Sequence, residues 1–169
     1  MSPQYTEEWV TYGDGPDKTS FYTRKYDVAN GQPKAHLVFI HGFVEHCARY
    51  DRALSQWAAK GISVFTFDQR GYGKTATDEE NKSAYSSYGK TSWGEQMQDI
   101  TFFITREKER IGSGVPMFLM GHSMVRYTSS SADSGFQLTP TVIRTVGRRR
   151  GFRICYILEG TNQGCARRA

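Results

Sequence analysis

One serine in this sequence has neighbours that suit nucleophilic chemistry. The apolar run 117–120 leads directly into Gly121, His122 and Ser123. Such a run predicts a buried strand of a parallel sheet, because both faces of that kind of strand are covered. Gly121 allows a sharp turn, which would leave the Ser123 hydroxyl at its apex. Four positions of the G-x-S-x-G pattern, a strained turn that presents a nucleophilic serine, are therefore filled, and the fifth is Val125.

Two further turns carry residues that would complete such a site. Short apolar runs at 36–40 and 62–67 are typical of buried strands. The first run ends in His-Gly-Phe at 41–43, and the second ends in the polar, glycine-containing segment 68–73. Open α/β sheets bind ligands at the carboxyl ends of their strands. The three turns should therefore gather in one crevice.

Two helices are predicted between these strands. Segment 49–60 places apolar residues on one helical face and is followed by Gly61, a common helix stop. Ser92 and Glu95 have the spacing of a capping box at the start of a second helix, which keeps its apolar period as far as Gly112. These helices would cover the sheet.

The order of the elements predicts the fold class. Segments 9–12 and 20–28 read as an antiparallel hairpin at the edge of the sheet, and 74–90 reads as a polar surface loop. The rest alternates between strand and helix, which indicates parallel strands joined by right-handed crossovers. We therefore predict an α/β fold with an amino-terminal hairpin followed by parallel strands and flanking helices.

Three motifs together give the chain a family resemblance. They are HGFVEHCARY at 41–50, FDQRGYG at 67–73 and GHSM at 121–124. In order and spacing they resemble the monoacylglycerol lipase branch of the α/β-hydrolases over residues 1–124, and the first motif is the most specific. Within that stretch the chain departs from the family at Val44, where glycine is usual.

The resemblance implies roles for particular residues. Ser123 would be the nucleophile, and the backbone N–H groups of Phe43 and Met124 would form the oxyanion hole. Three residues would support these turns: His41, Gly42 and Gly121. The substrates implied are monoacylglycerols or other small lipid esters, and neither a metal nor an organic cofactor is implied.

Composition adds expectations about location and partners. No apolar run approaches the roughly 18 residues of a membrane span, and the polar, acidic start is unlike a signal peptide. Three cysteines without metal spacing suit a reducing compartment. With the resemblance, this predicts a cytoplasmic protein that contacts membranes or lipid droplets. No nucleic-acid partner is expected.

Polar residues next to the motifs have structural interpretations. His122 is interpreted as a packing residue whose side chain points away from Ser123. Glu45 and His46 are expected to fix the loop that contains them rather than to act in catalysis. Asp68 is interpreted as a turn former rather than an acid.

The sequence provides no histidine after the serine. Triads of this fold follow the order Ser, then Asp or Glu, then His. All four histidines precede Ser123, and Asp133 and Glu159 are the only acidic residues beyond it. The chain therefore resembles a family member truncated after the nucleophile turn. We expect little or no esterase activity from it as written.

Residues 125–169 differ in composition from residues 1–124, which we assign to the amino-terminal half of the α/β-hydrolase domain. The tail has eight arginines, no lysine and a net charge of +6, against −1 for the part before it. We interpret it as the product of a shifted reading frame or as a disordered segment, with irregular structure. Within it, 152–158 could pair as a substitute strand with the open edge of the serine strand.

Two other functions remain open. The chain could be a non-catalytic protein that binds lipid or nucleic acid through the crevice and the basic tail. It could also belong to an esterase or peptidase of the same superfamily with a different acyl preference.

Overall fold

One seven-stranded sheet organises the protein. The computed structural model describes residues 5–123, 143–149 and 152–157. The strands are β1 (Thr6–Tyr12), β2 (Thr19–Tyr26), β3 (Ala35–Ile40), β4 (Ile62–Phe67), β5 (Met117–His122), β6 (Ile143–Arg149) and β7 (Phe152–Ile157). The helices are α1 (Asp51–Ala59), α2 (Gly73–Thr77) and α3 (Trp93–Ile111). The strand order is β1-β2-β4-β3-β5-β7-β6.

The amino-terminal strands form the predicted hairpin. β1 pairs antiparallel with β2 from Thr6 opposite Lys25 to Tyr12 opposite Thr19. β2 in turn pairs antiparallel with β4. The hairpin therefore lies at the edge of the sheet, as the sequence predicted.

The middle of the sheet is parallel. β3 pairs parallel with both β4 and β5, so Val38 lies between Phe65 and Leu119. All six residues of β3 are buried. This burial explains why its sequence is an apolar run without alternation.

The helices cover opposite faces of the sheet. Phe103 of α3 packs on one face, where it stacks on Phe67 with ring centroids 4.2 Å apart. Leu54 of α1 packs on the other face against Leu37 and Phe39 of β3. Val38 belongs to the first cluster and its two neighbours to the second, as the alternation of side chains along a strand requires. No helix among the described residues is long and apolar enough to cross a membrane.

The predicted start of α3 is confirmed, whereas α2 was missed. The Ser92 hydroxyl accepts a hydrogen bond from the Glu95 N–H at 3.3 Å, which satisfies one donor of the first turn. α2 interrupts the segment 74–90, which was predicted to be a loop. It has five residues, too few for an apolar period to be visible in the sequence.

The two carboxyl-terminal strands correct one expectation and confirm another. β7 pairs antiparallel with β5, from Phe118 opposite Tyr156 to His122 opposite Phe152, and β6 pairs with β7. The expectation of an irregular tail is therefore wrong for these two segments, and the pairing predicted for 152–158 is confirmed. The physical reason is that the open edge of β5 offers unpaired backbone groups, which a further strand satisfies. The other tail residues lie outside the described part of the chain.

Candidate active site

Ser123 directly follows β5 and has an unusual backbone conformation. Its φ is +55°, and within the described residues only Val44 (φ +59°) is another non-glycine with positive φ. The left-handed region costs an ordinary residue about 1–2 kcal/mol. The predicted apex at Ser123 agrees with this conformation, whereas Gly121, which was expected to permit the turn, is still paired with Ile40 in the sheet. The turn therefore lies at the exposed serine itself.

The pairing of β3 with β5 brings two of the predicted turns together. Since Ile40 lies opposite Gly121 in a parallel ladder, segment 41–43 leaves the sheet beside Ser123. Phe43 is 62% exposed, and its ring meets the edge of the Tyr72 ring at a centroid distance of 5.6 Å. Tyr72 belongs to the turn after β4, on the other side of β3.

Met124, the second expected oxyanion donor, lies outside the described residues. Of the two expected oxyanion donors, only Phe43 therefore lies within the described residues.

His41 joins the turns that follow β3 and β4. Its fully buried ring accepts a hydrogen bond at Nε2 from the Gln69 N–H, at 3.0 Å. A backbone N–H can only donate, so Nε2 carries no proton and Nδ1–H donates to the Gly42 carbonyl at 2.8 Å. Burial lowers the pKa of His41, which agrees with a neutral ring. His41 thus holds Gly42 in place and is not available as a base.

A second hydrogen-bonded cluster surrounds Glu45. Its Oε2 accepts from the Gly42 N–H at 2.9 Å and from the Tyr50 hydroxyl, and it lies 3.0 Å from Nδ1 of His122. The Tyr50 hydroxyl lies 2.9 Å from the same Nδ1. On the outer side, Arg49 approaches Oε1 at 3.4 Å. This Glu45 cluster connects the loop after β3 with the end of β5.

The charge state of the cluster follows from its donors. Partial burial disfavours the Glu45 carboxylate, but the hydrogen bonds from Tyr50, His122 and Gly42 outweigh burial and lower the pKa of Glu45 to about 2. Burial, followed by the bond to Glu45, raises the pKa of the Tyr50 hydroxyl, which keeps its proton. An ionised carboxylate can only accept, so Nδ1 of His122 holds a proton.

Gly42 has no room for a side chain. A Cβ atom there would lie 2.7 Å from Oε2 of Glu45 and 2.8 Å from Nδ1 of His122. Real Cβ atoms do not approach other atoms so closely, so any substitution must displace the Glu45 cluster.

The interpretation of His122 as a packing residue is wrong, because its imidazole is hydrogen-bonded to the Glu45 carboxylate. The overlooked signal was the pair of polar residues at 45 and 50 in the neighbouring motif.

Asp68 holds the turn after β4. Its buried carboxylate accepts from the Cys47 N–H through Oδ1 and from the Lys74 N–H through Oδ2, both at 2.7 Å. Its backbone carbonyl accepts from the Thr75 hydroxyl. Both carboxylate oxygens are engaged with the backbone, so the interpretation of Asp68 as a turn former is confirmed.

A buried ion pair fixes the same turn to α3. Arg70 donates two hydrogen bonds to the Asp99 carboxylate, at 2.9 and 2.8 Å, and a third to the Asp17 carbonyl. Two parallel bonds of this kind restrict both distance and orientation. The turn therefore forms a rigid wall of the crevice.

A groove of about 420 Å³ lies beside the loop after β3. Its lining is mostly aromatic and apolar, with a few polar residues: Phe43, Val44, Tyr72, Tyr88, Gly89, Thr91, Ser92, Trp93 and Gln96. Sequence reasoning did not find this groove, because its residues come from three separate segments.

Three of the four histidines, His36, His41 and His122, form side-chain contacts with groups other than the serine hydroxyl. His36 is buried at the opposite end of β3, with Nδ1 2.8 Å from the Ser63 hydroxyl and Nε2 3.2 Å from Glu107. Within residues 5–123 no hydrogen bond joins a histidine ring to Ser123. The same residues contain no group of His, Cys, Asp or Glu side chains that could hold a metal ion.

The sequence of this chain is similar to a known hydrolase family and to several monoglyceride lipases. Residues 31–124, more than half of the chain, match the family described as serine aminopeptidase, S33. Monoglyceride lipase of Saccharomyces cerevisiae is 32% identical over 111 residues, which cover 64% of this chain and 33% of the yeast protein. Monoglyceride lipase of Mus musculus is 29% identical over 128 residues, covering 73% of this chain and 39% of the mouse protein.

Solved structures show the same similarity. A soluble variant of the Saccharomyces cerevisiae monoglyceride lipase, in complex with a substrate analogue, has a TM-score of 0.56 and 29% identity, covering 73% of this chain and 36% of that one. A thermostable carboxyl esterase from Bacillus coagulans, in complex with glycerol, has a TM-score of 0.57 and 25% identity, covering 71% and 36%. The chain thus spans about a third to two-fifths of the length of these proteins.

Proposed function

The chain belongs to the serine aminopeptidase S33 family and is a monoglyceride lipase-like α/β hydrolase, and on this premise we propose that Ser123 is the nucleophile of a serine ester hydrolase. One observation carries the proposal. Ser123 has a left-handed backbone and an exposed side chain at the carboxyl end of a parallel strand, beside segment 41–43. Strain of this kind at a strand end is typical of functional sites.

The chemistry follows from the groups near the serine. The Ser123 oxygen attacks the ester carbonyl, whose oxygen gains negative charge and needs N–H donors. The Gly42 N–H is already bound to Glu45, so Phe43 is the residue of this loop whose amide is assigned to the oxyanion. The N–H of Met124 is the second donor. Each such donor is typically worth a factor of about 10²–10³ in turnover.

The proposed substrates are lipid esters with one acyl chain, such as monoacylglycerols. The relatives named above are monoglyceride lipases, and the groove beside Phe43 is largely apolar. Such substrates reside in membranes and lipid droplets, so contact with a lipid surface is part of the proposal.

We also propose that the chain as printed turns over very slowly. The attacking hydroxyl must lose its proton to a base. Nε2 of His41 already accepts from the Gln69 N–H, no hydrogen bond within residues 5–123 joins His122 to Ser123, and no histidine follows Ser123. In a serine protease, loss of the base reduces turnover by a factor on the order of 10⁶.

Fluorophosphonate labelling with added imidazole tests both parts of the proposal. At pH 7 the chain should label slowly, and imidazole should accelerate labelling by supplying the missing base. Mass spectrometry should locate the label at Ser123, and the Ser123→Ala variant should show no acceleration. Labelling is measured instead of ester hydrolysis because imidazole itself cleaves activated esters.

Two results would contradict the proposal. Imidazole-independent, rapid labelling would overturn the low turnover, and its loss in a His122→Gln variant would identify His122 as the base. A label found elsewhere, or absent even with imidazole, would overturn Ser123 as the nucleophile.

The charge distribution supports a second candidate function, binding to an anionic lipid or nucleic-acid surface. Residues 125–169 carry a net charge of +6, and clustered arginines attract anionic surfaces. The full chain would then be retained on anionic vesicles or DNA at low salt and released at high salt. Replacing Arg148, Arg149 and Arg150 with glutamate should abolish that retention; if it does not, the tail is not the binding element.

A further inference from the structure

The exposed apolar side chains of the protein are concentrated at one place. Within residues 5–123, every large apolar side chain that is exposed lines the groove beside Phe43 or lies in the same loop as Tyr88: Phe43, Val44, Tyr85, Tyr88 and Trp93. Exposed apolar side chains grouped in this way usually mark a contact surface. Tyrosine and tryptophan combine an apolar ring with a polar tip, and they are enriched where an apolar region meets water.

Aromatic rings form several walls of the groove. The planes of the Phe43 and Tyr72 rings are inclined at 71°, with centroids 5.6 Å apart. The planes of the Tyr72 and Tyr88 rings are inclined at 88°, with centroids 6.1 Å apart. Trp93 is a further lining residue. Rings that are nearly perpendicular face in different directions, so together they bound the groove on more than one side.

The backbone fixes the separation of two of these rings. The N–H of Gly89 donates to the Gly71 carbonyl at 2.8 Å, which joins the residue after Tyr88 to the residue before Tyr72. The two segments are closely packed there, because a Cβ atom at Gly71 would lie 3.0 Å from the carbonyl oxygen of Lys90. Walls that are held in place before binding reduce the entropy that binding costs.

The charge of the lining distinguishes between classes of ligand. None of the described residues that line the groove carries a formal charge, so an anion would find no cationic side chain there. The faces of aromatic rings carry partial negative charge and attract cations. The amino-terminal end of α3 is partially positive, but Glu95 in its first turn counters that charge. The lining therefore suits a cation that is weakly hydrated and has an apolar surface.

We propose that this groove is an aromatic cage that binds the quaternary ammonium group of choline headgroups at a lipid surface. Aromatic cages recognise such groups because the cation lies against several ring faces. The groove volume of about 420 Å³ holds the ammonium group and the first atoms of the chain attached to it. The exposed side chains of Phe43 and Val44 would contact the same lipid surface. The inference rests on the proposed function for the lipid surface alone, because Ser123 does not line the groove.

Two ligands of the same shape test the cage without any turnover. Choline and 3,3-dimethylbutan-1-ol differ only in that a neutral carbon replaces the charged nitrogen. By hydrophobicity alone the neutral alcohol should bind more tightly. We expect the full chain to bind choline about tenfold more tightly, as measured by NMR titration, with the largest shifts at residues that line the groove. Equal or tighter binding of the alcohol would overturn the cage.

Two tyrosines of one loop provide matched variants. Tyr88 lines the groove and is 61% exposed, whereas Tyr85 is 55% exposed and does not line it. Tyr88→Leu removes a ring face but keeps an apolar side chain, so it should weaken choline binding about tenfold. Tyr88→Phe keeps the ring and should keep the affinity, and Tyr85→Leu should leave it unchanged. Equal losses in Tyr88→Leu and Tyr85→Leu would overturn the groove as the binding site.

Sedimentation with vesicles tests whether the choline group belongs to a lipid surface. Vesicles of phosphatidylcholine should retain the full chain at high salt, and added choline should release it. Replacing about half of this lipid with phosphatidylethanolamine should reduce retention, because a primary ammonium is strongly hydrated. Binding of free choline without retention on these vesicles would overturn the lipid surface as the partner.

The remaining outcomes separate the cage from the other proposals. Retention through the arginines of the tail would be lost at high salt and would not respond to Tyr88→Leu, because salt screens exposed charges. That result would overturn the cage as the membrane contact. If Ser123 is never labelled by the fluorophosphonate, the proposed function fails, while the preference for choline over its neutral analogue is still measured.

Discussion

The turns after β3 and β4 are both held by a carboxylate, but they differ in backbone strain. Each has a carboxylate that accepts backbone N–H bonds: Asp68 accepts from Cys47 and Lys74, and Glu45 accepts from Gly42. Asp68 is 1% exposed, and the positive φ angles of its turn fall on glycines. In the loop of Glu45 the positive φ falls on valine.

This difference separates a supporting turn from a working one. In the Asp68 turn the polar groups are hydrogen-bonded, and the positive φ angles fall on glycines, which adopt them without strain. This turn can therefore serve as a rigid wall. The loop of Glu45 keeps a strained Val44 and an exposed Phe43 next to Ser123. Backbone strain and exposed apolar side chains both reduce stability, and proteins retain them mainly where a functional site requires them. Substitutions at the positive-φ positions of the two turns should therefore differ in the sign of their effect on stability.

The largest effect is expected for Gly73→Ala. The new Cβ would lie 2.1 Å from Oδ2 of Asp68, at a φ of +51°. The variant combines left-handed strain with displacement of a buried carboxylate from its backbone donors. We expect a loss of about 3 kcal/mol in the free energy of unfolding, measured by urea denaturation.

Gly89→Ala is the control for that measurement. Gly89 has a φ of +75°, but nothing lies within 4 Å of a Cβ built there. This variant should lose only the strain, about 1–2 kcal/mol. If both variants lose the same amount, the Asp68 contact contributes nothing and the contrast between the two turns is weaker than the structure indicates.

A smaller and pH-dependent effect is expected for Glu45→Gln. The pKa of Glu45 is lowered in the folded state to about 2, from an ordinary value of 4.5. Its charge therefore stabilises the fold above pH 4.5, and this contribution is lost as the pH falls through the folded value. The variant lacks it at every pH. At pH 7 we expect Glu45→Gln to be about 2 kcal/mol less stable than the unmodified chain.

The difference between the two proteins should shrink between pH 5 and pH 2. Urea denaturation of both at pH 7, 4 and 3 measures this directly. A difference that stays constant over that range would mean that the effect comes from shape rather than charge. The bonds from Tyr50 and His122 to the carboxylate would then not account for its pKa.

The sequence predicted the strands and their turns well because burial determines them. An apolar run such as β3 has one plausible place in an α/β sheet, and Ser92 begins α3 through a purely local bond. The parallel order of the strands was enough to predict that three segments meet at one edge of the sheet, namely Ser123, 41–43 and 68–73.

What the sequence did not predict depends on distant contacts. His122 bonds to Glu45, which lies 77 positions away, and no local pattern reports that contact. The apex of the turn was correctly expected at Ser123, but Gly121 was expected to take part in the turn because glycine bends readily, and it is still paired in the strand. The groove was missed because Phe43, Tyr72 and Tyr88 become neighbours only after the sheet forms.

The smallest effect, and the one of opposite sign, is expected for Val44→Gly. Valine is β-branched and strongly disfavours the φ of +59° that the loop imposes on it. Glycine adopts that conformation freely, although it loses more backbone entropy on folding. The side chain is half exposed, so little packing is lost. We expect a net gain of about 1 kcal/mol in the free energy of unfolding. Val44→Ala keeps a Cβ atom and should gain less than half of that. Equal gains from both variants would place the cost in the valine side chain rather than in the backbone, and the loop of Glu45 would then not be strained in the way that distinguishes it from the turn of Asp68.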